Sequence, residues 1–448
     1  MRASIVIPVW NGRQWLPTCL DSVLEQAGVE VEIIAVDNAS KDDSAELIAS
    51  TYPQVRLIRS PSNRGFSGGC NLGIKASQAE ILILLNQDTS VRPGWLTSFL
   101  QTFADDLTVG IVGGKGLYPD GQQIQHAGGW LAWPRGIADH YGHREPDDGR
   151  WDAQVDVEYV TGAAMGIRRE VVERIGLLDE SFWPGYYEDV DYCLRAQAAG
   201  YKVRYCPQAV YFHAESTSTP AVSQSYYIQR GRLRLVLKHL SAARLLEEFL
   251  PAEADEPLVI ADRIQTRALR LAYLDTLLNL PVLLRERGLE DESLVEKMLN
   301  AFQMMHRRIW LADLHGASER GDAADGLILN ALQPAMLANG LLPEYFQQVQ
   351  ARRGSPPSAE ETWLGLREYV FHSSIPLLGP LITRFREWGF NLVARWPLLY
   401  LMQQQEAINQ QLGQRLLNLA EENALLALEL TRLKKRLGKE SDNGRPDV

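Results

Sequence analysis

The chain has 448 residues, of which 46% are hydrophobic and 23% charged, and its net charge is −11. This length predicts two or three domains, and the composition is that of an ordinary globular protein. The negative charge argues against a nucleic-acid-binding protein, because binding to phosphates requires an excess of lysine and arginine. Unpaired cysteine spacing predicts reduced thiols in a cytosolic protein rather than a disulfide framework; the four cysteines are Cys19, Cys70, Cys193 and Cys206.

The amino terminus and the hydropathy of the chain bear on its relation to membranes. An apolar run of strand length begins at Ser4, without the longer apolar region of a signal peptide. The sequence also lacks a run of about eighteen apolar residues, the length needed to span a bilayer as a helix. We therefore expect a soluble protein or one that lies on a membrane surface.

The first part of the chain alternates between apolar runs of strand length and segments with helical spacing. The runs are rich in aliphatic residues, as in strands buried on both faces. Residues 13–27 have apolar positions at helical spacing, and Asp42 and Asp43 suit the first turn of another helix. We predict an α/β domain with a mainly parallel sheet covered by helices, with strands at Ser4–Val9, Val31–Val36, Val55–Ile58 and Ile81–Leu85.

Polar residues follow two of these strands directly. Asp37 and Asn38 come after the second strand, and Asn86, Gln87 and Asp88 come after the fourth. Ligands of parallel α/β sheets bind beyond the carboxyl ends of the strands. Asp37 is therefore either an acceptor for a nucleoside or a helix cap, and Asp88 either faces a cleft or caps a turn.

A glycine-rich segment, residues 63–71, separates the third and fourth strands. Three glycines in nine residues would let a backbone loop approach a phosphate closely, although turns use glycine for other reasons. Its spacing matches neither a P-loop nor a dinucleotide-binding fingerprint. We predict a loop here, followed by a short helix.

An acidic cluster provides the second part of a candidate site. Glu188 and Asp189 begin a segment with helical spacing, where the helix dipole stabilises negative charge, and we interpret Asp191 as a solvated helix charge. His213 follows a short apolar strand and is either a partner of Asp88 or a packed histidine. Together these residues suggest a site for one divalent metal and one general base.

Several motifs in order resemble those of family 2 glycosyltransferases, most closely the bacterial rhamnosyltransferase type of cell-surface polysaccharide synthesis. The resemblance covers residues 1 to about 240, and the order of the motifs is more specific than any one of them. The motifs are Ile-Pro-Val-Trp-Asn (7–11), Val-Asp-Asn-Ala-Ser (36–40), Asn-Arg-Gly-Phe-Ser-Gly-Gly-Cys-Asn (63–71), Leu-Leu-Asn-Gln-Asp (84–88), Thr-Gly-Ala-Ala-Met (161–165), Tyr-Glu-Asp-Val-Asp (187–191) and His213.

The resemblance implies a GT-A fold, an inverting mechanism and a divalent metal, Mg²⁺ or Mn²⁺. By position, Asp189 would be the general base, Glu188 would orient or bind the acceptor, and Asp88 and His213 would hold the metal. Asn86 stands where many such motifs have a first aspartate, which leaves fewer charged ligands. The implied nucleotide-sugar-binding residues are Pro8, Asp37, Asn38, Asn63, Gly65, Phe66, Asn71, Asn86, Gln87 and Asp88.

The expected reaction moves a sugar, with rhamnose favoured, from a dTDP- or UDP-sugar to a glycan or lipid-linked acceptor in O-antigen or similar synthesis. Galactofuranose, N-acetylglucosamine and glucose are alternative sugars, because variable loops select the donor. A non-catalytic scaffold for glycan assembly is an alternative of another class. The resemblance places the protein in the cytoplasm, with possible attachment to the cytoplasmic face of the inner membrane.

Two further segments of this half carry open alternatives. Residues 110–160 are aromatic and rich in loops, and they form either an acceptor cleft or ordinary core; their Asp120–Gly129 stretch also occurs in the resembling enzymes. Residues 223–240 predict a basic helix, which either contacts a diphosphate or anionic lipid or is a solvated face.

The second half of the chain predicts helices and assembly rather than chemistry. Short apolar stretches with arginine and tryptophan around residues 375–396 are typical of an interfacial membrane segment or of packed helices. Leucines from Leu412 to Leu437 follow a heptad pattern with Asn423 in the seam, which predicts a parallel oligomer. The predicted divisions are 1–240 catalytic domain, 241–353 helical domain, 354–402 linker and amphipathic segment, 403–438 coiled coil and 439–448 disordered tail.

Overall fold

The structure is a computed structural model. It describes residues 1–26, 30–215, 221–255, 263–289, 291, 293–298, 300–302 and 304–305. The chain divides into two compact units, Met1–Glu253 and Ala254–Val448. The predicted linker, amphipathic segment, coiled coil and tail lie outside the described residues, as does most of the predicted helical domain.

One side of the central sheet consists of the four predicted strands. In sheet order they are β3, β2, β1 and β4, and each neighbouring pair is parallel. Every residue of β4 is buried, as its unbroken aliphatic run predicted. Their bounds are β1 Ala3–Val9, β2 Val31–Asp37, β3 Arg56–Arg59 and β4 Ile81–Leu85.

The other side of the sheet is mixed, so the prediction of a mainly parallel sheet was wrong for these strands. Strand β11 (Ala164–Arg168) lies antiparallel between β4 and β6 (Val109–Leu117), whereas β12 (Lys202–His213) runs parallel to β6. Because β11 is buried along its whole length, its apolar pattern is that of a parallel strand, and the sequence could not reveal its direction. The short strands at this side are β5 Thr89–Val91, β7 Ile124–His126 and β10 Val155–Asp156; β8 Gly129–Ala132 and β9 Ile137–His140 form a separate hairpin.

Helices cover both faces of the sheet, and each face has its own apolar core. Alternate residues of β1 divide between them: Ile5 and Ile7 belong to one core and Val6 to the other. The helices of the first unit are α1 Leu16–Leu24, α2 Ser44–Thr51, α3 Gly65–Ala76, α4 Trp95–Asp105, α5 Arg169–Ile175, α6 Glu188–Ala198, α7 Ala221–His239, α8 Ala242–Arg244 and α9 Leu250–Asp255, with a 3₁₀ turn at Glu180–Phe182 and a π turn at Leu245–Phe249.

The glycine-rich segment is a helix and not the predicted loop. Helix α3 begins at Gly65, and two of its glycines, Gly69 and Gly73, face β1. A Cβ atom on Gly73 would lie 2.2 Å from Val6 Cγ1, and one on Gly69 would lie 3.0 Å from Pro8 Cβ. The glycines therefore allow α3 to pack directly on β1, which local sequence could not distinguish from a phosphate loop.

The described residues of the second unit are mostly helical. Helix α10 spans Arg263–Glu286, and residues 293–298, 300–302 and 304–305 are helical as well. None of the helices within the described ranges is long and apolar enough to cross a membrane.

Candidate active site

Asp88, Asn86 and His213, which we call the metal part of the candidate site, lie where β4 and β12 end. Strand β5 pairs with β12 and brings the turn after β4 beside His213, which is opposite Thr89 in the register. His213 Nε2 lies 3.3 Å from Asp88 Oδ1 and 3.3 Å from Asn86 Nδ2. Both ionisable side chains are largely buried, with exposed fractions of 8% for Asp88 and 13% for His213. The structure thus brings the two predicted residues together, and their binding of a metal stays a prediction.

The orientation of the His213 ring suits a metal ligand. Its Nδ1 lies 2.8 Å from Gln125 Oε1, to which the ring N–H donates. Nε2 is then unprotonated, and its lone pair points towards Asp88 and Asn86. Histidines that bind a metal through one nitrogen have the same arrangement. The described residues contain no group of three or more His, Cys, Asp or Glu side chains arranged around a metal. Asp88 and His213 therefore fit a cation whose other ligands come from substrate or water.

The candidate base lies at the start of α6, as predicted. Asp189 accepts N–H groups from Gly162 through Oδ2 and from Val190 through Oδ1, both at 2.8 Å. Burial raises the pKa of Asp189, and these hydrogen bonds together with nearby His140 oppose the rise. Such a shift brings a carboxylate closer to the pKa that suits a general base at neutral pH.

Glu188 is the more buried carboxylate of this pair. Burial first, and then the adjacent charge of Asp189, raises its pKa well above the usual range. Its Oε2 is buried without a hydrogen-bond partner among the described residues. The two residues before it, Tyr186 and Tyr187, both have positive φ angles, of 75° and 74°. Strained backbone of this kind is retained where surrounding structure holds functional groups in place.

Two adjacent backbone residues connect the base to the metal part. Gly162 donates to Asp189, and the carbonyl of the next residue, Ala163, accepts the N–H of Asn86 at 3.0 Å. The Phe66 ring lies against Gly162, where a Cβ atom would be 2.9 Å from the ring. The segment just before β11 thus brings the predicted base and the end of β4 to one edge of the sheet.

The structure places Asp37 and Pro8 at this same edge. Pro8 pairs with Val36 in the register between β1 and β2, and Asp37 ends β2. The carboxylate of Asp37 accepts the N–H of Ser40 at 3.2 Å, a contact within the turn after β2. Because α2 begins at Ser44, this contact does not cap that helix. A nucleoside contact by Asp37 stays a prediction.

Three of the predicted donor-binding amides hold the protein backbone together. Asn38 accepts the N–H of Arg64 and donates to the carbonyl of Gly65, both at 2.9 Å. Asn63 accepts the N–H of Gly65 at 2.8 Å. Gln87 pairs with both the N–H and the carbonyl of Trp10, at 2.9 and 3.1 Å. Their side chains therefore shape the loops around the site.

Asn71 is also used within the protein. Its Nδ2 donates to the carbonyl of Leu178 at 2.9 Å and its Oδ1 accepts the N–H of Leu178 at 3.1 Å. Nδ2 also contacts Glu180 at 3.1 Å. Asn71 thus joins α3 to the segment before α6, and its contact with the donor stays a prediction.

The interpretation of Asp191 as a solvated charge was wrong. Its side chain is 0% exposed and contacts Arg195 at 2.9 Å, Lys238 at 2.9 Å and His239 at 2.8 Å. Burial alone would raise its pKa, but the hydrogen bond from His239 and the charges of Arg195 and Lys238 lower it. Two of the three partners lie on the basic helix α7. These residues therefore join α7 to α6 through a buried clasp around Asp191, which stabilises the fold.

A group of histidines beside the site was not among the predicted site residues. We call it the histidine cluster, and its members are His126, His140 and His143. The rings of His126 and His140 are 4.6 Å apart at an edge-to-face angle, and those of His140 and His143 are 6.0 Å apart. His140 and His143 both donate through Nδ1 to the backbone carbonyl of Gln125, at 3.1 and 3.3 Å. In the sequence, the signal for this cluster was the presence of histidines within the aromatic, loop-rich residues 110–160.

The chain has detectable similarity to known protein families and proteins. Residues 4–176 match the family model for glycosyl transferase family 2. An uncharacterized protein, y4gI, of Sinorhizobium fredii is 33% identical over 226 residues, which cover 48% of this chain and 24% of that protein. The O-antigen biosynthesis protein RfbC of Myxococcus xanthus is 31% identical over 230 residues, 49% of this chain and 18% of that protein.

Two more similarities lie at lower identity. The pre-mycofactocin glycosyltransferase of Mycobacterium tuberculosis is 28% identical over 218 residues, 48% of this chain and 43% of that protein. A crystal structure of GalNAc-T7 with UDP, GalNAc and Mn²⁺ is 17% identical and covers 60% of this chain and 54% of that one, with a TM-score of 0.46. The chain spans less than half the length of each of the three sequence relatives. The α/β domain that carries the candidate site is therefore similar to glycosyl transferase family 2 over residues 4–176.

Proposed function

We propose that the protein is an inverting, metal-dependent glycosyltransferase of cell-surface polysaccharide synthesis. The observation that carries this proposal is the convergence of Asp88, His213 and Asp189 at one edge of the sheet of a family 2 domain. Rhamnose from a dTDP- or UDP-sugar is the favoured group. The similarity to an O-antigen biosynthesis protein supports a glycan or lipid-linked acceptor.

Asp88 and His213 would hold the divalent cation, Mg²⁺ or Mn²⁺. When bound there, the cation would supply positive charge against the negative charge that develops on the leaving diphosphate. One carboxylate and one imidazole leave most ligand positions to the diphosphate and water, so we expect metal and donor to bind together. Asn86 adds a neutral amide beside them and no further negative charge.

Asp189 would take the proton from the attacking hydroxyl group of the acceptor. The acceptor oxygen forms a bond to the anomeric carbon as the bond from that carbon to the diphosphate breaks on the opposite face, which inverts the configuration. The backbone N–H groups of Gly162 and Val190 fix both carboxylate oxygens of Asp189 and orient it for this transfer. Glu188, buried next to it, would orient the acceptor.

Location and assembly belong to the same proposal. Synthesis from nucleotide sugars takes place where these donors are made, which favours the cytoplasm and contact with the cytoplasmic face of the membrane. The heptad pattern from Leu412 to Leu437 favours a homo-oligomer, and that segment lies outside the described residues.

A donor screen tests the proposal directly. Purified protein is incubated with a panel of dTDP-, UDP- and GDP-sugars in the presence of Mg²⁺, Mn²⁺ or EDTA, and release of nucleoside diphosphate is measured. Release from one donor that EDTA abolishes supports the proposal and identifies the sugar. NMR of the product from an added acceptor then reports the anomeric configuration. Retained configuration, or release that continues in EDTA, would contradict it, and nucleotide binding without any transfer to cell-envelope acceptors would favour the scaffold.

A further inference from the structure

Gln125 occupies a position between the metal part of the site and the histidine cluster. It lies in β7 and is 4% exposed. Its side-chain Oε1 accepts the N–H of His213 Nδ1 at 2.8 Å, and its backbone carbonyl accepts from His140 and His143. One residue therefore contacts three histidine rings.

The amide of Gln125 is incompletely satisfied. Its Nε2 is buried and has no hydrogen-bond partner among the described residues. A buried amide group without a partner costs free energy, and most native structures avoid it. An apolar residue of similar volume would remove this cost but could not accept the hydrogen bond from His213.

We propose that Gln125 is a positioning residue that fixes the tautomer and ring orientation of His213 for metal binding. This inference rests on the proposed function for its biological purpose. Because Oε1 can only accept, it keeps the ring proton on Nδ1 and leaves Nε2 as an acceptor, which lies 3.3 Å from the amide nitrogen of Asn86 in this structure and would bind a cation beside Asp88. Without it, the ring proton could move to Nε2 and donate to Asp88, and the two metal ligands would then satisfy each other.

The histidine cluster makes Gln125 a rigid support. His140 and His143 both donate to its backbone carbonyl, and β7 itself pairs with β6 through His126 and Gly116. A side chain on such a fixed backbone loses little further freedom when it orients His213. The contact joins residues 88 positions apart, so it depends on the fold and not on local sequence.

The first test measures the tautomer of His213 without metal or substrate. In protein labelled with ¹⁵N-histidine, NMR shifts of the two ring nitrogens distinguish protonated Nδ1 from protonated Nε2, and the His213→Asn variant identifies the signal. We expect protonated Nδ1 in the wild-type protein and in Gln125→Glu, which retains an acceptor oxygen. We expect a shift towards protonated Nε2 in Gln125→Met, which has similar volume and lacks that oxygen.

The second test measures Mn²⁺ affinity by electron paramagnetic resonance, alone and with UDP, dTDP or GDP. Loss of a partner behind a metal-binding histidine typically weakens metal affinity about 10- to 100-fold. We expect this loss for Gln125→Met, with recovery to within a few-fold for Gln125→Glu. Gln123→Met is the matched control, since Gln123 is exposed and next to the same strand. A Gln125→Met protein that does not fold leaves Gln125→Glu and the wild-type tautomer as tests.

The outcomes separate this inference from the proposed function. A wild-type His213 protonated at Nε2, or a Gln125→Glu protein that behaves like Gln125→Met, would show that the amide donates to His213 and would overturn the inference. Unchanged tautomer and Mn²⁺ affinity in Gln125→Met would also overturn it, even in an active transferase. If the expected tautomer and affinity changes occur but no donor is turned over, the inference stands and the proposed function fails.

Discussion

Asp189 and Asp191 lie on different faces of the first turn of α6, and their carboxylates have opposite electrostatic surroundings. Asp189 receives two backbone N–H groups, and within the described residues no lysine or arginine forms an ion pair with it. Asp191, two residues later, contacts the cationic side chains of Arg195 and Lys238 and the ring of His239. The pKa of Asp189 is raised, and the pKa of Asp191 is lowered.

This comparison shows that burial does not decide the role of a carboxylate. Burial is the largest influence on both pKa values and raises each of them. Nearby charge reverses the result at Asp191, so that this carboxylate stabilises the fold by joining α6 to α7. At Asp189 the backbone hydrogen bonds and His140 offset the effect of burial only in part, and a carboxylate with a raised pKa is typical of groups that act in chemistry.

Substitution of Asp189 should have the largest effect on function. We expect Asp189→Asn to reduce the rate of sugar transfer about 10²- to 10⁴-fold, because the amide cannot accept the acceptor proton. The affinity for the nucleoside diphosphate should stay within a few-fold of wild type. Steady-state kinetics and nucleotide titration measure the two quantities, with the exposed Asp43→Asn as control. Retained turnover would exclude Asp189 as the base.

Substitution of Asp191 should have the largest effect on stability. Breaking a buried ion-pair network by removal of one partner typically costs about 3–5 kcal/mol, and we expect this loss of unfolding free energy for Asp191→Asn. Asp189→Asn should cost much less, because no ion pair is lost. Urea unfolding of both variants, followed by tryptophan fluorescence, makes the comparison. Equal losses in the two variants would refute the distinction between the two faces.

The features that the sequence predicted are those encoded by short, contiguous patterns. β4 has the predicted bounds, Ile81–Leu85, because five aliphatic residues lie between polar ones. The pairing of Asp88 with His213 was predicted because both follow apolar strands, whose ends lie close together in such sheets. The start of α6 at Glu188 follows from the spacing of its apolar residues.

The features that the sequence did not reveal depend on contacts between distant segments. Asp191 looks solvated within α6, and its partners Lys238 and His239 come from α7, which follows after β12. Gln125 gains its contact with His213 only when β7 and β12 both border β6. The direction of β11 depends on the route of the chain, which apolar patterns do not record.

Removal of one partner of Asp191 should have a smaller effect than removal of Asp191 itself. We expect His239→Ala to lower the unfolding free energy by about 1.5–3 kcal/mol, the usual contribution of a hydrogen bond to a charged group. Arg244→Ala is the control, because its pair with Glu248 is about half exposed and such helix pairs contribute only about 0.3–0.5 kcal/mol. The same urea measurement applies. A larger loss in Arg244→Ala than in His239→Ala would contradict a buried clasp.

The smallest effects concern pH, where the two carboxylates should act in opposite directions. Because the folded pKa of Asp191 lies below its ordinary value of 3.8, its stabilisation is present above that pH and is lost as pH falls through the lower folded pKa. The folded pKa of Asp189 is raised, so the folded state binds the extra proton and its contribution to stability decreases as pH rises from 3.8 towards the folded value. Unfolding free energies of wild type and both Asn variants across this range measure each contribution as a difference. As pH falls, the difference in unfolding free energy by which wild type exceeds Asp191→Asn should become smaller. Over the same range, the unfolding free energy of wild type should rise relative to that of Asp189→Asn. If the differences in unfolding free energy changed with pH in the same direction for both variants, the two carboxylates would not have opposite electrostatic surroundings.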